Sequence, residues 1–153
     1  MKDFEYRGRR LDNKEWVYGH YFITPITAEF CVKPENGAFF ASGDEPIRHC
    51  IVENMVAFEI DPATVGQYTG LKDKNGKDIW EGDIFKDDNH GIVRSIFRVP
   101  GGFAFEDNPV SFGYDHRAPV YPYSPIADSQ NVAWLAQCCE VIGNIHDNPE
   151  LLK

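Results

Sequence analysis

The sequence lacks long hydrophobic runs, and this absence excludes a membrane-spanning helix. No segment approaches the roughly 18 consecutive apolar residues that a bilayer crossing needs, although 42% of the 153 residues are hydrophobic. The first residues, Met-Lys-Asp-Phe-Glu, also lack the apolar core of a secretory signal peptide. The sequence therefore predicts a folded cytoplasmic protein with no membrane association.

Cysteine pairs at metal-binding spacing are missing as well. Zinc sites usually show ligand pairs about two to four residues apart, and the four cysteines form no C-x-x-C pair. The available soft ligands are Cys31, His49, Cys50, Cys138, Cys139 and His146. Free thiols in a reducing compartment explain the same residues, so we expect no metal site.

Positive charge is scarce. The chain has 15 basic and 24 acidic residues, a formal net charge of −9. Nucleic-acid binding depends on neutralising phosphates with Lys and Arg, so this balance disfavours it. Arg7, Arg9 and Arg10 cluster in the sequence, but acidic residues surround them. A solvated surface of mixed charge is the favoured interpretation.

Motifs for catalysis and cofactor binding are absent too. The sequence has no G-x-S-x-G nucleophile elbow, no P-loop and no G-x-G-x-x-G turn before a helix. A calcium loop starting at Asp73 fails, because Gly76 falls at its fourth position and Ile84 at its twelfth, where a Glu is needed. We expect no cofactor and no catalytic residue, and hence a protein that is not an enzyme.

Aromatic residues and turn formers are plentiful instead. The chain has 11 Phe, 7 Tyr and 3 Trp, together with 13 Gly and 10 Pro. Aromatic residues favour strands, while Gly and Pro favour the turns between them. Long helical periodicity is hard to find. The composition predicts a mainly-β protein.

Short strands are predicted along the first 60 residues. Residues 4–6 and Trp16–Ile23 indicate a strand pair joined by a turn at Asp12–Asn13, with Gly8 and Gly19 at bulges or close strand approaches. Residues 30–32 and 38–41 are predicted to form a hairpin closed at Asn36–Gly37.

Two further strands follow, over residues 48–52 and 55–60. In the second, the period-two pattern predicts one shared face for Val56, Phe58 and Ile60.

Residues 64–84 are the most informative stretch. Asn75–Gly76 carries the signature of a type I′ hairpin turn. The sequence around Gly82-Asp83 indicates entry into a strand, with core candidates at Ile79, Trp80, Ile84 and Phe85. Each glycine marks a place where the backbone needs a conformation or an approach that a Cβ would forbid.

Strands and turns continue to the end of the chain. Residues 91–99 and 103–105 are predicted strands, and the four prolines within 107–125 predict an exposed loop. Residues 132–137 form either one helical turn or a strand, and 140–145 form a final strand. Asn148 before Pro149 is typical of the start of a short terminal helix.

Three blocks of the sequence resemble the YopX family of phage and prophage proteins. They are residues 14–19 (Lys-Glu-Trp-Val-Tyr-Gly), residues 65–84 and residues 140–152. The resemblance implies a mainly-β fold with a small SH3-like barrel, to which the strand and helix signals above add further strands and hairpins and a short C-terminal helix. The chain is then a single YopX-like unit, or an N-terminal β lobe over 1–60 packed on an SH3-like barrel over 61–153 with a Pro-rich loop at 107–125. The family supplies no activity or catalytic residue to transfer.

A non-enzymatic binding module for a host or phage protein, acting in the bacterial cytoplasm, is the leading functional hypothesis. Its candidate binding surface consists of Tyr6, Trp16, Tyr18, Tyr68 and Trp80. The alternatives are single-stranded nucleic-acid binding by aromatic stacking on the barrel, an acidic mimic of nucleic acid, and a minor enzyme. Self-association stays open, because the edges of a partly open barrel can pair.

Overall fold

The N-terminal strand pair has the predicted topology. The structure is a computed structural model, and it describes residues 5–25, 31–32, 39–40, 46–106, 123–126 and 129–153. Strands β1 (Tyr6–Arg9) and β2 (Trp16–Pro25) are antiparallel, with Gly8 opposite Val17 and Arg9 opposite Trp16. The turn between them occupies residues 11–13, which confirms the predicted turn at Asp12–Asn13.

Both glycines of this pair lie at close approaches, as predicted. A Cβ on Gly8 would lie 2.6 Å from Cδ1 of Ile60. A Cβ on Gly19, whose φ is +154°, would lie only 1.9 Å from the carbonyl oxygen of Val52. A side chain at Gly19 would therefore clash with the backbone of β5, which cannot move away by a change of rotamer as a side chain can.

The remaining strands of the first part are β3 (Cys31–Val32), β4 (Phe39–Phe40), β5 (Pro46–Glu53) and β6 (Val56–Glu59). The sheet order is β3-β6-β5-β2-β1, and β4 lies on β5. The predicted hairpin of β3 with β4 is wrong for the described residues. β3 runs parallel to β6, and β4 is antiparallel to β5, because the longer β5–β6 hairpin offers both short strands an edge. Asn36–Gly37 lies outside the described residues.

One face of this sheet packs around Val17, Ile51 and Ile60, all buried. Phe58 packs against this cluster, so the alternation predicted for β6 holds for Phe58 and Ile60. Val56, at the hairpin end of the strand, is 46% exposed. The opposite face buries Cys50 and Ala57. Arg48 and Glu59 are buried there too, with their Nε and Oε2 atoms 3.6 Å apart.

The chain divides into two units, Met1–Tyr68 and Thr69–Lys153. A 3₁₀ turn, Pro62–Thr64, ends the first unit's hairpins, and Asp61 caps it by accepting a hydrogen bond from the backbone N–H of Ala63 at 3.0 Å. Strand β7 (Gly66–Lys72) begins in the first unit, where Gly66 pairs with Arg7 of β1, and ends in the second. The first unit thus extends beyond the lobe 1–60 that the sequence suggested.

The second unit contains β8 (Asp78–Trp80), β9 (Asp83–Asp87), β10 (Val93–Val99), β11 (Gly102–Glu106), β12 (Tyr123–Pro125) and β13 (Cys139–Asn144). Five of them form a sheet in the order β12-β11-β10-β9-β13. Within the described residues its end strands β12 and β13 do not pair with each other. The mainly-β prediction is confirmed, and an SH3-like barrel is not seen in these strands.

Residues 132–137, for which the sequence allowed one helical turn or a strand, lie in helix α1 (Ser129–Cys138). Its buried Leu135 belongs to a core that includes Ile79, Ile96, Phe105 and Val141. The rings of Phe85 and Trp134 meet edge to face at 5.7 Å. In the part of the chain that the structure describes, no helix has the length and apolar character to cross a membrane.

The ends of this unit agree with the sequence in part. Most of 107–125 lies outside the described residues, and Tyr123–Pro125 is an edge strand, a position where proline is tolerated. A 3₁₀ helix spans Pro149–Leu152, as the terminal signal predicted. Asn148 precedes it, but the Asn148 side chain accepts no capping hydrogen bond from the backbone of this helix.

Candidate binding surface

The turn at residues 73–77 is organised by one buried carboxylate. Asp73 Oδ1 accepts hydrogen bonds from the backbone N–H groups of Asn75 (2.8 Å) and Lys77 (2.9 Å). Its Oδ2 accepts a third from the N–H of Val141 on β13, at 3.0 Å. Asp73 therefore fixes the turn and holds it against the last strand of the sheet. Its oxygens serve the fold rather than a ligand.

The predicted type I′ geometry at Asn75–Gly76 is wrong. Gly76 has φ +80°, but Asn75 is not at positive φ, which type I′ requires at both central residues. Gly76 N–H donates to Asp73 O, and Asp73 N–H to Lys77 O, both at 2.9 Å. This is a type I turn followed by a bulged glycine. The Asp73 side chain, bonded to the N–H two residues on, favours it.

The Gly82-Asp83 segment enters β9 as predicted. Gly82 has φ +83° and donates its N–H to Ile96 O at 2.8 Å. Buried Asp83 accepts from the N–H of Trp80 through Oδ2 at 2.9 Å. The predicted core residues Ile79, Trp80, Ile84 and Phe85 are all buried. As in the Asp73 turn, the polar groups named here are used in hydrogen bonds with the protein's own backbone.

Two further carboxylates of this unit are also engaged internally. Buried Asp87 accepts from Asn89 N–H at 2.9 Å and lies 2.7 Å from His90 Nδ1. Burial opposes its negative charge, but these hydrogen bonds outweigh burial and hold the pKa of Asp87 below its ordinary value. Asp88 pairs with Lys74 at 2.6 Å, and this hydrogen bond raises the pKa of the lysine.

The candidate zinc ligands do not assemble in the described part of the chain. No group of three or more His, Cys, Asp or Glu side chains within 5–25, 46–106 and 129–153 is arranged to hold a metal ion. Cys50 and Cys139 are buried thiols, and burial raises the pKa of Cys139 to about 12. The side chain of Cys31 lies outside the described residues.

The five aromatic residues proposed for binding occupy different environments. Tyr68 and Trp80 are buried, and Tyr6 packs on the Val17 cluster with its ring 5.5 Å from that of Tyr21. Trp16 is half-buried, and Tyr18 is 40% exposed. Of the five, only Tyr18 is therefore exposed, and Tyr6 and Trp16 are half-buried.

Charged groups cover part of the Trp16 ring. The guanidinium carbon of Arg7 lies 4.9 Å from its centroid, and that of Arg9 lies 5.8 Å away. Such cation–π contacts hold the indole in place on the sheet. They also occupy ring surface that a ligand would otherwise stack on.

Among the described residues of the first unit, the most exposed apolar group is Met55, which the sequence did not predict. Glu53 pairs directly with Val56, so Asn54 and Met55 form a two-residue turn between β5 and β6. Both have positive φ, +50° and +67°, which is type I′ geometry. The Met55 side chain is 97% exposed. The short gap between the predicted strands 48–52 and 55–60 already indicated a tight turn. Asn is also a typical first central residue of a type I′ turn, the position that Asn54 occupies.

Met55 is an unusual occupant of this position. The second central residue of a type I′ turn is normally glycine, since a Cβ in the left-handed region costs about 1 kcal/mol. Val56, the next residue, is 46% exposed, and Tyr18 on β2 is linked to this hairpin through its backbone N–H, which donates to Glu53 Oε1 at 3.3 Å. By strand alternation, Val56 and Tyr18 lie on opposite faces of the sheet, on either side of the tip. We call Tyr18, Met55 and Val56 the hairpin-tip surface.

These features define a mainly-β protein whose glycine-rich block is a structural device and which exposes Met55, Val56 and Tyr18 at or near one hairpin tip. The chain belongs to the YopX protein family, whose sequence profile matches residues 5–153. No curated protein matches the chain in sequence. Among solved structures, it is similar to the crystal structure of protein EF1440 from Enterococcus faecalis, with 23% identity over 98% of each chain and a TM-score of 0.48.

Proposed function

We propose that this chain is a non-enzymatic protein-binding module, encoded by a phage or prophage, that acts in the cytoplasm of a bacterial host. It docks on a partner through the hairpin-tip surface of Tyr18, Met55 and Val56. The observation that carries this proposal is Met55: a fully solvated apolar side chain held at positive φ. An SH3-like barrel in the second unit remains our expectation from the family resemblance.

Met55 contributes almost nothing to the packing of the fold. Its side chain is 97% exposed, so it buries almost no apolar surface within this chain. Its backbone conformation would be easier for glycine. A strained and exposed apolar residue is best explained by a role outside the fold. Methionine suits that role, because its flexible and polarisable side chain adapts to apolar pockets.

The charge of the chain indicates the partner's chemistry. With a net charge of −9, the chain favours a partner that surrounds its apolar socket with basic groups. A stable interface buries about 800 Å² on each side, more than three side chains supply. His20, exposed on β2 beside Tyr18, lies where the contact would extend.

Single-stranded nucleic acid is the second candidate. Its support is the Trp16 ring with two arginines nearby, the combination that stacking platforms use. The same arginines already cover that ring, and the overall charge repels phosphates. Protein is therefore the favoured partner, and a labelled single strand is an arm of the test.

The test compares two variants with substitutions at exposed positions of the same sheet. Met55→Gly removes the side chain and relieves the positive φ, so we expect the free energy of unfolding to stay within about 1 kcal/mol of wild type. Ile23→Thr is the matched control, since Ile23 is 53% exposed on β2, four residues along the strand from Gly19 at the tip end.

Each immobilised protein is exposed to bacterial host extract, and retained proteins are quantified by mass spectrometry. We expect a protein retained by wild type and by Ile23→Thr and lost from Met55→Gly. Equal retention by all three, or salt-sensitive retention of a labelled oligothymidine in place of a protein, overturns the proposal.

A further inference from the structure

Met55 is also the most accessible oxidisable group among the described side chains. The chain contains two methionines, Met1 and Met55, so Met55 is the one internal thioether. At 97% exposure, its sulfur meets solvent as a methionine in an unfolded chain does. Peroxide can reach it with no opening of the fold.

We propose that Met55 is a reversible oxidation site through which peroxide switches off docking by the hairpin tip. This inference rests on the proposed function. In the modification step, a sulfur lone pair attacks one oxygen of hydrogen peroxide. The S–O bond forms, the O–O bond breaks, and the second oxygen leaves as water after proton transfer. Sulfur loses two electrons and peroxide gains them.

The consequence follows from where the new oxygen sits. A sulfoxide is a strong hydrogen-bond acceptor, and burying it in an apolar socket without a donor is unfavourable. The fold is unaffected, because the Met55 side chain packs on almost nothing within the chain. Oxidation therefore changes the binding surface and leaves the sheet beneath it intact. Methionine sulfoxide reductases can restore the thioether.

The described cysteines compete weakly for peroxide. The thiolate is the reactive form of cysteine, and Cys50 and Cys139 are buried. The pKa of Cys139, raised by burial to about 12, keeps that thiol protonated. Cys138 is half-buried and is the described competitor. A Met55→Leu variant carries the same cysteines and a side chain of similar volume that peroxide does not oxidise.

The first arm of the test measures the modification alone. Folded protein is treated with hydrogen peroxide beside N-acetylmethionine amide, and peptide mass spectrometry follows the gain of one oxygen at residue 55. We expect Met55 to react within about threefold of the free compound, as a solvated thioether should. A rate more than about tenfold slower, or loss of the folded circular dichroism spectrum on oxidation, overturns the inference.

The second arm measures the switch, using the protein retained from host extract as the readout. Oxidised wild type is expected to retain about tenfold less than untreated protein, as when a central hot-spot residue is lost. Treatment with both reductase types restores retention, and peroxide-treated Met55→Leu binds as before. Undiminished retention by oxidised wild type, with Met55→Gly still deficient, refutes the switch and leaves docking intact. Full retention by Met55→Gly, or none by wild type, refutes docking and the switch with it.

Discussion

Asp73 accepts a hydrogen bond from the backbone N–H of Val141, a residue near the other end of the second unit, at 3.0 Å. The same carboxylate holds the turn of residues 73–77 through two more backbone N–H groups. The turn therefore lies along β13, where Lys74 N–H also donates to Cys139 O. An edge that would otherwise expose backbone groups is covered in this way.

Removing this carboxylate should destabilise the second unit strongly. In Asp73→Ala, three hydrogen bonds are lost and a buried N–H loses its acceptor, so we expect a loss of about 2–4 kcal/mol in the free energy of unfolding. Asp88→Asn, which removes an exposed ion pair with Lys74, should cost less than about 1 kcal/mol. Urea denaturation of both variants measures the difference, and similar losses would contradict the role given to Asp73.

Substituting Gly19 and Gly70 by Ala distinguishes the cost of a steric clash from the cost of backbone strain alone. Both have positive φ, but a Cβ on Gly19 would lie 1.9 Å from Val52 O, whereas one on Gly70 meets nothing within 4 Å. Gly19→Ala should therefore cost about 3 kcal/mol or more, and Gly70→Ala about 1 kcal/mol. Thermal unfolding of the two variants decides the matter. Equal midpoints would show that no close approach exists at Gly19.

The residues show why the sequence predicted some features and missed others. Most strand positions, the close approaches at Gly8 and Gly19, and the core around Ile84 depend on local pattern, and the structure has them. The first strand is an exception, because it was predicted at residues 4–6 and spans Tyr6–Arg9. The turn type at Asn75 was wrong because the carboxylate of Asp73 bonds within the turn and to a strand far along the chain. Such a tertiary contact leaves no local signal.

The binding surface was predicted only in part for a similar reason. Aromatic type alone does not reveal exposure, and Tyr68 and Trp80 are buried while Tyr18 is not. Met55 was missed because an Asn-Met pair is not a typical hairpin signature. Its exposure and positive φ become visible only when the pairing of Glu53 with Val56 defines the turn.

Glu59 should make the stability of the fold fall as the pH rises above its unfolded pKa of 4.5. Burial raises the pKa of Glu59 in the fold, and Arg48 only partly opposes this. The folded state therefore holds the proton more tightly, so stability declines from pH 4.5 upward until Glu59 is ionised in the fold. Glu59→Gln removes this decline, and the stability of the variant relative to wild type should rise between pH 4.5 and 7.

Asp12 provides the opposite case as a control. A hydrogen bond from Arg10 lowers the pKa of Asp12 below 3.8. Its contribution is present above pH 3.8 and is lost as the pH falls through the folded pKa. Asp12→Asn should therefore change the pH dependence of stability only below pH 3.8.

For Glu59, the contradicting result is a pair of parallel pH profiles for wild type and Glu59→Gln above pH 4.5. It would show that burial does not raise the pKa of Glu59.

Cys138 and Cys139 should differ in reactivity although they are neighbours. Cys139 is buried with its pKa raised to about 12, while Cys138 is half-buried. Thiolate availability governs alkylation, so iodoacetamide at pH 8 should label Cys138 in the folded protein and both residues in urea. Fragment mass spectrometry distinguishes the two positions. Equal labelling of both cysteines without urea would contradict the burial of Cys139 in the core that contains Leu135 and Val141.

Photo-crosslinking from the hairpin tip shows directly whether a partner protein contacts this tip. A photoreactive phenylalanine derivative replaces Tyr18 in one variant and Ile23 in another, two exposed positions on the same strand. After irradiation in host extract, we expect a discrete crosslinked protein from position 18 that is absent from position 23. Met55→Gly in the same chain should abolish it. A crosslink from position 23 alone, or one from position 18 that survives Met55→Gly, would contradict docking through the hairpin tip.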